Sequence, residues 1–122
     1  MRLRHTTQKG VRVIKAMDPV VVGHDNAKRF ESEVLAEIGD EPLVVLDASR
    51  IDFFESDGVE SLLEFERLVA EKNGRFVLSG LNEAVREIFR ISGLDCLFHI
   101  YPDVDRAVRE VSRRRDETER WH

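Results

Sequence analysis

The chain has 122 residues, 42% of them hydrophobic, which suits one domain with a real core and is too short for two. A net charge of -5 disfavours a nucleic-acid surface, and the basic run Arg113-Arg114-Arg115 is followed at once by Asp116, Glu117 and Glu119. The single cysteine excludes an internal disulfide framework, and no apolar run reaches the roughly 18 residues of a membrane span, nor is there a signal-peptide core, so the expectation is a cytoplasmic protein without direct membrane insertion.

In chain order, Leu3 to Thr7 reads as a short edge strand and Gln8-Lys9-Gly10 as a turn into a strand over Val11 to Met17. Val20-Val21-Val22-Gly23 is another β-prone run. His24-Asp25-Asn26 supplies cap candidates for a helix from about Ala27 to Ile38, whose inner face is Ala27, Phe30, Val34, Leu35 and Ile38 and whose stop is Gly39. Leu43-Val44-Val45-Leu46, between Pro42 and Asp47, fits a strand buried on both faces. A polar turn follows. Val59, Leu62, Leu63, Phe65, Val69 and Ala70 then recur at helical spacing, which places Glu55-Ser56-Asp57-Gly58 at the start of a helix that ends at Asn73-Gly74.

Arg75 to Gly80 reads as a second buried strand, and a strand-helix-strand unit of this length is parallel and right-handed. Asn82 caps a helix with Ala84, Val85, Ile88 and Phe89 as its inner face, and Gly93 is the left-handed terminator. Leu97 to Ile100 makes a last short strand, and Pro102-Asp103 opens a helix with Val104, Ala107, Val108 and Val111 inside. The order β-β-β-α-β-α-β-α-β-α predicts an α/β fold, with a mixed, mostly parallel sheet of about four to five strands packed with about four helices. Residues 1–112 form the single domain and residues 113–122 a polar C-terminal tail.

Asp47, Asp52, Glu55 and Asp57 gather near the C-terminal end of a parallel strand, where α/β proteins commonly bind ligands. A solvated acidic edge is preferred to a metal or phosphoacceptor pocket, because a receiver-like site at Asp47 needs a pair of acids and Met17-Asp18-Pro19 offers one. His5, His24, His99 and His122 form no i, i+4 pair and no Cys/His ligand set, so no metal or cofactor is expected. Cys96, among Leu94, Leu97 and Phe98, is expected as a small buried hydrophobe. No glycine cluster cradles phosphate, and no constellation argues for catalysis, so the expectation is a protein that is not an enzyme.

Several segments in order carry a resemblance: Leu43-Val-Val-Leu-Asp47, Ile51-Asp52-Phe53-Phe54, Glu55-Ser56-Asp57-Gly58, Arg75 to Gly80, Asn82 to Leu94 with its Ser-Gly-Leu step, and Asp103 to Ala107. Over nearly its full length the chain resembles the STAS domain family, best known from bacterial anti-sigma factor antagonists. In those proteins the turn reads Asp-Ser-Ser-Gly or Asp-Ser-Thr-Gly, and the hydroxyl before the glycine is phosphorylated by a kinase that is itself the anti-sigma factor. The resemblance implies a regulatory turn at Glu55, Ser56, Asp57 and Gly58, with Asp57 in place of the phosphorylated hydroxyl, Glu55 in place of the first aspartate, and Gly23 where an acid is common.

A carboxylate there places about one negative charge where a phosphate would place about two, so Asp57 reads either as a phosphate mimic or as a plain helix cap. Ser56 is one residue out of register and flanked by Glu55 and Asp57, which repel an incoming phosphate. The expected partner-binding surface comprises His24, Asp25 and Asp52 with the helix residues Glu60, Ser61, Glu64 and Arg67. The implied partners are an anti-sigma factor or kinase-type regulator and a phosphatase, in a partner-switching pathway; homodimer formation is left open. The alternative is a cytoplasmic accessory subunit of an ABC-type lipid transporter, which needs no phosphorylation.

Overall fold

The computed structural model describes the backbone of residues 1–120 and the side chains of residues 1–113. Strands β1 (Leu3–Gln8) and β2 (Val11–Ala16) form an antiparallel hairpin that pairs Gln8 with Val11. Its two-residue loop has Lys9 at φ 51° and Gly10 at φ 77°, a pair of positive values that matches the strand twist. The chain continues through β3 (Val20–Val22), α1 (Ala27–Ile38), β4 (Leu43–Asp47), β5 (Ile51–Phe54), α2 (Ser56–Glu71), β6 (Arg75–Ser79) and α3 (Glu83–Ile91). A single 3-10 turn at Leu94–Cys96 precedes β7 (Ile100–Tyr101) and α4 (Val104–Arg120). The stretch expected as a polar tail thus continues a helix to Arg120. Its charge pattern beyond Arg113 lies outside the described side chains, and His122 lies outside the described residues.

The main sheet has the order β1-β2-β4-β6-β7, parallel except for the hairpin, and β3 pairs with β5 in a separate parallel ribbon. All of β4 is buried, as an unbroken apolar run requires: Val44 and Leu46 join the core under α1, α2 and α3, while Leu43 and Val45 join the core under α4. Six of the seven phenylalanines form a chain of ring contacts, Phe76–Phe65–Phe30–Phe54–Phe89–Phe98, with centroids 5.7 to 6.4 Å apart. This chain ties β5, the strand that leads into α2, to three helices and the central sheet. Among the described residues no helix is long and apolar enough to cross a membrane.

Several expectations are corrected. Strand β5 stands where a polar turn was expected; four residues, buried at the two ends and not in between, are too short a signal without their partner β3. The last strand is Ile100–Tyr101, not Leu97–Ile100, because Gly93 at φ 77° starts the 3-10 turn, which uses up the chain before it; Leu97 is 55% exposed and Phe98 packs on Phe89. Cys96 is exposed rather than buried, on the outer side of that turn. On α2, Leu63 and Ala70 face solvent, and on α3 so do Ala84 and Ile88, because the sheet takes the stripes Leu62, Phe65, Val69 and Val85, Phe89.

Candidate functional site

Three segments converge at one end of the β3–β5 ribbon: the loop after β3, the end of β5 and the start of α2. The Glu55 N–H donates to the Val22 carbonyl at 2.8 Å, which ties the helix entrance to β3. Gly58 is buried against the same carbonyl, and a Cβ there would come within 2.5 Å of it. Only a residue without a side chain lets the first turn of α2 approach that closely. The β3–α1 loop is pinned by Asn26: its Oδ1 accepts from the Gly23 N–H at 2.9 Å and its Nδ2 donates to the Val21 carbonyl at 2.9 Å. Asn26 holds the cap position of α1, yet its side chain caps no helical N–H, which corrects the expected capping role.

The pinned loop presents His24, with Nδ1 3.1 Å from Asp57 Oδ2; the His24 side chain is 92% exposed and that of Asp57 43%. Asp57 lies in the first turn of α2, and no side chain caps that helix, so the carboxylate sits at the positive end of an uncapped dipole. Glu55, the cap residue, lays its side chain over Gly23, into the space that a side chain at position 23 would need. Ser56 is exposed at the first helical position. The predicted turn residues and His24 are therefore together, with Asp25 exposed on the same loop.

The remaining predicted residues divide. Glu60 is exposed on α2, and Glu64 is held by Arg67, whose Nε donates at 3.1 Å and keeps the Glu64 carboxyl below its usual range. Ser61 is not on the outer surface: it is buried, its hydroxyl 3.1 Å from Glu31 Oε2, 3.3 Å from the Asp57 carbonyl and 3.5 Å from the Ala27 carbonyl. Helix α1 packs on that side of α2 and covers it. Asp52 is exposed on β5, with its carbonyl accepting from Asn82 Nδ2 at 2.9 Å. Asn82 also caps α3 as expected, its Oδ1 accepting from the Val85 N–H at 2.9 Å, so one side chain joins β5 to α3.

The four acids do not form a pocket. Among the described residues there is no group of three His, Cys, Asp or Glu side chains able to hold a metal. Asp47 is buried, with Oδ1 accepting from the Ser49 N–H at 3.0 Å and Oδ2 4.0 Å from Lys15 Nζ, an Asx turn that closes the end of β4. What borders the turn instead is an apolar groove of about 510 Å³ between α2 and α3, lined by Phe53, Val59, Ile88 and Leu94 with Glu55 and Ser56. Sequence reasoning missed it, although Ala84, Ile88 and Ile91, at i, i+4 and i+7, spell a second apolar stripe beside Val85 and Phe89.

A mixed sheet with helices on both faces and an exposed helix start, held by a neighbouring loop and without a metal cluster among the described residues, defines a small α/β domain whose candidate site is a surface turn. The family model described as the STAS domain matches residues 3–107, and the chain belongs to that family. It is 36% identical over 81 residues, 66% of this chain and 70% of the other, to BtrV of Bordetella bronchiseptica, a protein named as a candidate anti-sigma factor antagonist. An anti-sigma factor antagonist from Mycobacterium paratuberculosis superposes with TM-score 0.77 at 25% identity, over 90% of this chain and 92% of that one. A STAS domain protein from Planctomyces limnophilus gives TM-score 0.78 at 22% identity, over 90% and 97%.

Proposed function

We propose that this chain is a protein-binding module of the anti-sigma factor antagonist kind, acting in a partner-switching pathway, with Asp57 standing permanently where a regulated hydroxyl is expected. The observation that carries this reading is the placement of Asp57 in the uncapped first turn of α2, paired with His24 from the loop after β3. A fixed carboxylate supplies there, without a kinase, part of the charge that a phosphate would bring, and the helix end favours it. His24, Asp25, Glu55 and Glu60 give a partner a polar, mostly acidic rim to match, which sets specificity and encounter rate more than raw affinity. Supporting the reading are the family membership and the names of the similar proteins.

The test is affinity capture of the tagged chain from its native cells, wild type against Asp57→Ser, with mass spectrometry of co-purifying proteins and intact-mass analysis of the bait. An ATP-binding kinase-type regulator should be recovered, more of it with the serine variant, and that variant should gain a phosphate while Ser56 of the wild type carries none. Equal capture together with no phosphate on either bait would overturn the phosphate-mimic role. Recovery of transporter ATPase and permease subunits, equally with both baits, would replace partner switching by the accessory-subunit function.

A further inference from the structure

Large apolar side chains are normally scattered on a protein surface, so a cluster of them calls for an explanation. Ile88 is 45% exposed, Ile91 69% and Leu63 38%. On α2, Val59 and Leu63 are one turn apart and lie on the flank opposite Ser61, which faces α1. On α3, Ala84, Ile88 and Ile91 make a stripe that the sheet does not use, since Val85 and Phe89 already fill the core. The groove between these flanks has Phe53 and Leu94 partly buried against the core beneath it, and it runs up to Ser56 at the regulatory turn. Its apolar side chains therefore stand on rigid elements, without a mobile loop between them.

The surrounding charge is of one sign at the end nearest the turn. Glu55 and Glu60 are exposed, and neither takes part in an ion pair among the described residues. Further along, Glu64 and Glu71 share the single Arg67, so that edge of α2 also carries an acidic excess. On the α3 side the exposed Arg86 and Arg90 stand beside Glu83 and Glu87, so the acidic excess lies along the α2 edge, and an apolar trough with one acidic edge is complementary to an amphipathic helix that carries Lys or Arg beside its apolar stripe.

We propose that the α2–α3 groove is the seat for a basic amphipathic helix of the partner protein, which reaches the turn at Ser56 and Asp57 along Val59 and Ile88, which line the groove, and the exposed Leu63 and Ile91 one helical turn further along. The inference rests on the partner-binding reading above. Its test does not involve Asp57, so failure of the groove and failure of the switch give different results.

The test uses the full chain and a synthetic peptide of about 18 residues, long enough to form a helix, with Leu at i, i+3, i+4 and i+7 and Lys on both flanks. A control peptide carries the same Leu stripe with Glu in place of Lys. Titration followed by backbone amide NMR should perturb Val59, Leu63, Ile88, Ile91 and Leu94 saturably. Binding should weaken at least about tenfold in Ile88→Glu and in the double variant Glu55→Lys, Glu60→Lys, each checked for folding by circular dichroism. Absence of saturable shifts, shifts confined to α4 or β1, or equal binding of the Glu-flanked peptide would overturn the inference. Concentration-dependent dimerisation of the wild type, abolished by Ile88→Glu in sedimentation experiments, would overturn it in favour of a second copy as the occupant.

Discussion

At the scale of single residues, the site depends on two positions that carry no functional group. Gly58 brings the first turn of α2 against the Val22 carbonyl, and Gly23 leaves room for the Glu55 side chain. The two differ in tolerance. A Cβ at position 58 meets backbone, which must shift as a whole, whereas one at position 23 meets a side chain that can rotate away. Gly58→Ala is therefore expected to lose about 1–3 kcal/mol of stability in urea unfolding, with amide shift changes centred on Val22 and Glu55. Gly23→Ala should lose less and chiefly free Glu55. Equal effects of the two substitutions would contradict the backbone account. Ser61 belongs to the same scale: its hydroxyl, enclosed between α1 and α2 and hydrogen-bonded to Glu31, holds two helices together and cannot meet a partner without their separation.

At the scale of elements, α2 serves the core and the α1 interface with different flanks, and its first turn carries Ser56, Asp57 and Gly58. On α2, Glu66 is half-buried, and its carboxyl is pushed above its usual range by burial and drawn back by Arg75. A raised carboxyl pKa in the folded state means that folding is penalised where the group is ionised in both states, and not penalised where it is protonated in both. Glu66→Gln should therefore raise stability near neutral pH by under about 1 kcal/mol, and the difference from wild type should shrink as pH falls from the raised folded value towards the unfolded carboxyl value of about 4.3, below which it should be gone. Denaturant unfolding of both chains across that range checks it; a gain that grows on acidification has the wrong sign. Helix α3 is the contrasting element, with one apolar stripe in the core and a second in the open groove.

At the scale of the whole molecule, the ring chain from Phe76 to Phe98 links the central sheet to β5 and so to the turn. Phe65, fully buried, touches both Phe30 and Phe76 and is the joint between α1, α2 and β6. Phe65→Ala is expected to lose about 3–5 kcal/mol while keeping a single cooperative transition, seen as coincident circular dichroism and NMR unfolding curves. A separate early loss of α2 signals would show instead that the helix unfolds independently of the sheet.

Much of this architecture is legible one residue after another. The unbroken run Leu43 to Leu46 specifies a strand covered on both faces, the helical periods of Phe30, Val34, Ile38 and of Leu62, Phe65, Val69 specify helices, and Asn82 and Gly93 mark where α3 begins and ends. Those features rest on backbone hydrogen bonding and side-chain period, which act within a few residues. The position of the turn Glu55 to Gly58 at a helix start follows from the same local rules.

Other features are set by what lies alongside. Ribbon β3–β5 exists because two short segments meet whose paired residues, such as Val20 with Ile51 and Val22 with Phe54, are far apart in the chain. Ser61 is buried because α1 covers that flank, and Ile88 is exposed because nothing covers its own; both sit on helices whose period alone allows either outcome. His24 reaches Asp57 only because Asn26 pins the intervening loop. A helical period determines that a residue lies on a given stripe, but which stripes are covered depends on the shape and neighbours of the whole sheet, and that is decided only when the layers pack.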